Sequence, residues 1–361
     1  MRHLALVAVL LNTLGSCDSE MPEPPRGDWA LAECPSREEP GFVFFGETTI
    51  ACVRGGELYE QDLDSLGYYI GSVESHYAYP RLTVVLQGFA LQSKTYTIDL
   101  ATGDVTLVGD AAAVDSRVVP VGESEFWTVD LLPAPDEPDS SLVSVRRHRD
   151  GVSAEVARGR IQDGGGRVRF IGADRAPSGD VYVLGISESA REYVVIRADG
   201  DGGTVGLMLV GDQRQLTGLF TDSASRLYVV ESTSGDVFRV DGGELEPVWD
   251  LGAEPDDSQL RDVSRRPGAG FAVANRLAEG GVGLYDETFG PARTVGDGAV
   301  RFFAVREYEA LGCGRAFPFF GAPGERYAET FLSVDVGAGV VRREEVTLPK
   351  ARYDLPQVFC I

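Results

Sequence analysis

Few side chains in this chain could do chemistry, and their spacing narrows the choice. The histidines are His3, His76 and His148, too few for a histidine-rich metal site, and the H-E-x-x-H spacing of a zinc hydrolase is missing. His76 or His148 could act as a lone general base, but a single histidine on a surface or turn is the plainer expectation. There is no G-x-S-x-G elbow to present a nucleophilic serine. Lys94 and Lys350 are the only lysines, and neither follows a glycine-rich run that could cradle phosphate. Asn275 is the only asparagine besides Asn12, which leaves Asp and Glu as the oxygen ligands for a divalent ion such as calcium. Asp199-Gly200-Asp201-Gly202-Gly203 has part of a calcium-loop pattern. It lacks the further Asp/Asn and the distal Glu, so a tight turn is expected there. No catalytic or metal-binding residue can be assigned, and no cofactor is expected.

Five cysteines are present, an odd number: Cys17, Cys34, Cys52, Cys313 and Cys360. Cys17 closes an opening segment with a basic start (Met1-Arg2-His3), an apolar run (Leu4 to Leu11) and a small, polar exit. That is the layout of a secretory signal, far too short to cross a bilayer. Leu14-Gly15-Ser16-Cys17 resembles the lipobox of bacterial lipoproteins. The resemblance implies cleavage after residue 16 and a lipid on Cys17, which would hold the chain at a membrane of the bacterial cell envelope on its periplasmic or surface face. Residues 17–41, rich in Pro and acids, read as an extended tether.

The formal net charge is −23. Such a surface repels phosphate backbones, so a nucleic-acid partner is not expected. Export makes Cys34, Cys52, Cys313 and Cys360 readable as two disulfides. The local pairing, Cys34–Cys52 with Cys313–Cys360, leads because short loops close most readily. The rival pairs the chain ends, Cys34–Cys360 with Cys52–Cys313. A zinc site is disfavoured because no C-x-x-C spacing occurs.

These residues must be positioned by a repeating body. An alternating strand, a Gly/Asp turn and a second strand recur at 57–73, 94–110, 141–157, 192–212, 236–252, 281–297 and 329–346. Taking Gly67 and Gly339 as the turns of the first and last copies, the repeats are spaced by about 45 residues, a propeller-blade length. Further strands precede most hairpins, as in GDVYVLGIS, SRLYVVEST and AGFAVANRL. The expectation is therefore an all-β chain: a β-propeller of seven blades with four antiparallel strands each over residues 42–348, six or eight blades being the neighbouring counts. Residues 349–361 would be a tail closing or pinning the ring. LYVVESTSGDVFRVDGG resembles blades of NHL-type and quinoprotein-like propellers, without a specific family signature. A ring must join its first and last blades, and cysteines near both termini suit that seam.

Fold alone does not assign function. The leading expectation is a lipid-anchored, non-catalytic propeller that binds an envelope protein or glycan. The alternative is a propeller hydrolase or lactonase with a carboxylate-held divalent ion in the central channel. Converging Asp and Glu side chains there would favour the enzyme. Arg146-Arg147-His148-Arg149, Arg265-Arg266 and the acidic loop Pro133 to Asp139 are surface features open to either a partner or plain solvent.

Overall fold

The computed structural model describes residues 29–36, 41–45, 48–63, 68–88, 92–137, 140–162, 168–187, 191–200, 203–212, 214–231, 234–251, 263–265, 270–274, 282–295, 300–305, 311–316, 327–335, 340–348 and 358–360. These residues form 28 strands and no helix. Six sheets are continuous stretches of chain, each with its strands in sequence order. The first of them holds β4 (Tyr68–Ala78), β5 (Arg81–Gly88), β6 (Ser93–Asp99) and β7 (Val105–Leu107). Next come β8 (Asp115–Gly122), β9 (Glu125–Pro133), β10 (Ser140–Arg149) and β11 (Val152–Gln162). A third has β12 (Val168–Arg175), β13 (Val181–Ser187), β14 (Glu192–Ala198) and β15 (Val205–Asp212). It is followed by β16 (Leu216–Thr221), β17 (Leu227–Glu231), β18 (Asp236–Asp241) and β19 (Glu244–Asp250). The fifth is short-stranded: β20 (Val263–Arg265), β21 (Phe271–Ala274), β22 (Val282–Tyr285) and β23 (Pro291–Val295). The sixth contains β24 (Val300–Val305), β25 (Leu311–Ala316), β26 (Tyr327–Asp335) and β27 (Val340–Leu348).

The remaining sheet is composite. It takes β1 (Phe42–Phe45), β2 (Thr49–Arg54) and β3 (Glu57–Asp62) from the start of the chain and β28 (Val358–Cys360) from its end, in the order β28-β1-β2-β3. Phe42 pairs with Cys360 on one side and with Val53 on the other. The expectation of seven alike blades within 42–348 is thereby corrected: six sheets are contiguous units, and the other is built from both ends of the chain. Residues 358–360 supply the strand that joins the end of the chain to its start, and 349–357 lie outside the described residues. The copy at 57–73 was also out of phase. It runs from β3 into β4, which belong to different sheets, whereas the outer hairpin of the composite sheet turns at Gly55-Gly56.

The first strands β4, β8, β12, β16, β20 and β24 and the late β28 contact one another in succession. They form the inner ring of a β-propeller. Burial explains how the sequence builds it. The second strands are enclosed on both faces and read as apolar runs, as in β13 (VYVLGIS) and β17 (LYVVE). Fourth strands lie at the rim and are polar, as in β11 (VSAEVARGRIQ) and β19 (ELEPVWD). Apolar side chains of neighbouring sheets meet between them. Trp127, Val129 and Val143 pack with Phe170, Val183 and Ile196; Phe220 and Tyr228 pack with Phe271.

Residues 29–36 are not an extended tether. Leu31 and Cys34 are fully buried in a cluster shared by the composite sheet and the next one. Trp29 Nε1 donates to the Leu100 carbonyl at 2.8 Å. A Cβ on Gly103 would lie 2.8 Å from the Trp29 ring, and φ there is +78°, so this turn requires glycine. Cys34 and Cys52 form a disulfide, which eliminates the end-to-end pairing that joined Cys34 to Cys360. Cys17 and the other residues before 29 lie outside the described residues.

Candidate functional site: the axial strands

The inner ring inverts the charge of the protein. Its strands carry Arg117, Arg169, Arg175, Arg265 and Arg301 against Glu74, Asp115 and Asp174, in a chain whose net charge is −23. Asp115 stands at the start of β8 and Asp174 near the end of β12, so the two acids do not converge. Each reaches forward to the next inner strand. Asp115 Oδ2 accepts the Phe170 N–H at 2.6 Å, and Oδ1 takes the Ser116 N–H at 2.9 Å and pairs with Arg117 at 3.2 Å. Arg117 in turn donates to the Ser116 and Phe170 carbonyls. Burial raises the Asp115 carboxyl above its usual range, opposed by the Arg117 charge and the main-chain donors.

At the opposite end of β12, Asp174 Oδ2 receives the Thr221 N–H at 2.7 Å and the Thr221 hydroxyl at 2.8 Å, and Oδ1 the Arg175 N–H at 2.8 Å. Arg265 reaches across from β20, donating to Thr221 Oγ1 and to the Arg175 carbonyl, each at 3.4 Å. Burial pushes the Asp174 carboxyl up, and the Arg265 charge opposes it. The Arg175 guanidinium lies over the buried Trp127 ring, 5.0 Å from its centroid. Trp127 Nε1 donates to Glu125 at 2.9 Å, and Arg147 holds the same carboxylate through two bonds of 3.1 and 3.0 Å. Burial would raise Glu125, but the Arg147 and Trp127 hydrogen bonds and the nearby arginine charges outweigh it and hold the carboxyl below its ordinary value.

A second polar cluster lies within the sheet of β8 to β11. Asp130, fully buried on β9, accepts the Ser116 hydroxyl at 2.6 Å and the Asp110 N–H at 2.9 Å. Burial, aided by the Asp110 charge, pushes its carboxyl to about 6. Asp110 is paired with Arg146 at 3.1 Å and Arg158 at 3.6 Å.

The histidines overturn the surface expectation, being only 4% and 6% exposed. His148 stacks on Phe126 at 4.6 Å and 8°, and His76 approaches Phe126 at 4.9 Å, so both imidazoles contact one phenyl ring. His76 Nε2 lies 2.7 Å from the Gly122 carbonyl and His148 Nε2 3.1 Å from Thr128 Oγ1. Burial, then the Arg146 charge, lowers the His148 pKa to about 4.

The other sequence candidates have plain places. Arg146, Arg147 and Arg149 are paired with Asp110, Glu125 and Asp150. Asp199 and Gly203 sit in the β14–β15 turn, where the Asp199 N–H donates to the Thr204 carbonyl at 2.8 Å; residues 201 and 202 lie outside the described residues, as do Asn275 and Arg266. In the acidic loop, Glu137 pairs with Arg160. Cys313 lies on β25 and Cys360 on β28, strands in contact with each other. Among the described residues no group of three or more His, Cys, Asp or Glu side chains could hold a metal ion. Asp115, Asp130, Asp174 and Thr221 were missed from sequence. Their signal was polar or charged side chains interrupting the apolar run of a strand, as in EFWTVDLLP, DSRVVPVG and VRFIGADR.

Fold and axis together define a β-propeller with arginines and spent carboxylates on its inner strands. Neither a protein-family profile nor a curated protein matches the chain by sequence. Solved structures share the fold. A prolyl endopeptidase matches at 15% identity over 89% of this chain and 54% of its own, with a TM-score of 0.51. Prolyl oligopeptidase B from Galerina marginata matches at 12% identity over 89% and 53%, with a TM-score of 0.50. The chain thus spans about half the length of these two peptidases, and the likeness is one of fold.

Proposed function

We propose that this is an exported, lipid-anchored propeller that binds a protein or glycan of the bacterial cell envelope without transforming it. The observation that carries this reading is the commitment of the axial carboxylates. Asp115 and Asp174 each accept main-chain N–H groups and each face an arginine, so acting as a base or metal ligand would strand those donors at a cost of about 1–3 kcal/mol each. The Cys34–Cys52 disulfide supports an oxidising compartment, and Leu14-Gly15-Ser16-Cys17 supports the lipid anchor. Replacing Cys17 with serine is expected to move the protein from the membrane fraction to the soluble one. Unchanged fractionation would refute the anchor.

A second reading makes the chain hydrolase-related, and the likeness to propellers of peptidases favours it. In its metal-dependent form the channel would hold a divalent ion on carboxylates. Addition of calcium at about 1 mM, the range in which extracellular calcium modules bind, would then raise the melting temperature and support ester or lactone hydrolysis. The binding reading expects neither change.

A further inference from the structure

The turns after the first and third strands of the contiguous sheets gather at one end of the propeller axis. In the first of these sheets the Leu100 N–H, in the β6–β7 turn, donates to the Pro80 carbonyl of the β4–β5 turn at 2.9 Å. In the next, the Asp150 N–H of the β10–β11 turn donates to the Ser124 carbonyl of the β8–β9 turn at 3.1 Å. His76 and Gly122, near the ends of β4 and β8, join the two sheets at the same end. This face carries two of the three large hydrophobic side chains that are exposed among the described residues, Tyr79 at 39% and Val152 at 68%. The third, Leu107, is 37% exposed and pairs with Tyr96 at the rim, toward the other end of β6.

The chain enters the body on this same face. Trp29 lies against Gly103 and donates to the Leu100 carbonyl, both in the β6–β7 turn. A lipid on Cys17 would sit twelve residues before Trp29. Twelve residues reach about 40 Å fully extended and about 20 Å as a flexible coil. The two faces are roughly 26 Å apart, the length of an eight-residue strand such as β5. The tether therefore keeps the entry face next to the bilayer, and turning the opposite face to it would stretch the chain and cost conformational freedom. The side chains suit that contact. Tyrosine favours the membrane interface, where its ring meets apolar chains and its hydroxyl meets water. Arg81 and Arg149 are paired with Asp99 and Asp150, while Asp104 and Glu123 are exposed, a balance that fits zwitterionic rather than anionic headgroups.

We propose that the propeller docks on a zwitterionic lipid surface with the face that carries Tyr79, Val152 and the Trp29 entry, so that its opposite face points away from the bilayer. The proposal rests on the reading of the chain as lipid-anchored and adds the orientation in which the body is held.

The test is the fluorescence of an environment-sensitive thiol label on the full chain, extracted from membranes and reconstituted into phosphatidylcholine vesicles. Flotation with the vesicles reads the anchor. Quenching by lipid brominated near the headgroup end of its chains reads contact, because a docked surface enters only about 5–10 Å into that boundary. Labels on Tyr79→Cys and Val152→Cys are expected to lose intensity, and a label on Leu107→Cys to keep it. All three side chains are exposed, so these changes leave the core intact, and wild type carried through the same labelling gives the background from Cys313 and Cys360. Flotation with unquenched labels on Tyr79→Cys and Val152→Cys, or with equal quenching of Leu107→Cys, would overturn the docked face and leave the anchor standing. A chain that does not float would overturn both. A blue shift of the Tyr79→Cys label that grows with protein concentration without vesicles would put a second copy on this face and overturn lipid as its occupant.

Discussion

Asp174 and Thr221 are joined twice across two sheets: one carboxylate oxygen takes both the Thr221 N–H, at 2.7 Å, and its hydroxyl, at 2.8 Å. The same device recurs one sheet earlier, where Asp115 takes the Phe170 N–H at 2.6 Å. Inner strands of a propeller have an edge facing the axis, and these acids use main-chain donors of the neighbouring inner strand to fasten it. The cost of burying the acids is offset by arginines from the same ring.

Asp174→Asn should destabilise the protein by about 3 kcal/mol, because it removes the carboxylate charge that faces Arg265 and turns an amide donor toward the Thr221 and Arg175 donors. Thr221→Val keeps the N–H and loses the hydroxyl, so about 1 kcal/mol is expected. Chemical denaturation measures both. Equal losses for the two variants would contradict the assignment of the larger share to the charge.

Stability should depend on pH through His148. Its folded pKa of about 4 lies below the value of about 6.5 for an unfolded histidine. As pH falls, the unfolded chain takes the proton first, so the contribution of His148 is full above about pH 6.5, declines toward pH 4 and then levels. Asp130 acts in the opposite sense. Its carboxyl, raised to about 6, favours folding at low pH, and that contribution is lost as pH rises through 6. Comparing wild type with His148→Phe isolates the histidine. Wild type should lose about 1–2 kcal/mol relative to the variant between pH 7 and pH 4, allowing for partial solvent screening. Parallel pH curves would contradict the account.

Phe289 adopts φ of +63°, while the corresponding left-handed positions in the turns before β7 and β15 are Gly103 and Gly203. Its ring stacks on Trp249 at 4.7 Å and on Phe271 at 5.2 Å, which holds the backbone there. Phe289→Ala should lose the ring contacts, about 3 kcal/mol, and keep the backbone strain. Phe289→Gly loses the same contacts but is relieved of about 1 kcal/mol of strain, so glycine should be the milder change. Alanine proving milder would show that the turn relaxes without the ring.

With Cys34 and Cys52 joined and β25 in contact with β28, Cys313 and Cys360 are expected to form the clasp between the last sheet and the composite one. A peptide map of unreduced protein should contain a cross-linked Cys313–Cys360 pair. Free thiols at both positions would remove the clasp.

Much of this architecture was legible because propeller strands differ by radius. Second strands such as VYVLGIS are buried on both faces and announce themselves as apolar runs, and the outer hairpins carry Gly/Asp turns at a regular spacing. The phase of the first copy failed because Gly67 looked like a hairpin turn while Gly55-Gly56 held that role. The closing role of the C-terminal segment was expected, but its strand could not be placed, because three residues, Val358 to Cys360, have no period to read. The axial site was hidden for a different reason. Asp115 answers to Phe170 and Asp174 to Thr221, 55 and 47 residues away, and local pattern carries no record of such partners. Likewise, nothing near His76 or His148 in sequence predicts that both would meet the ring of Phe126.

The central claim is binding without turnover. Its most direct test is a titration of the purified full chain with solubilised envelope glycans and peptides, followed by mass measurement of the recovered ligand. Saturable binding with every ligand mass unchanged after prolonged incubation is the predicted result. Time-dependent cleavage of the bound ligand would contradict it.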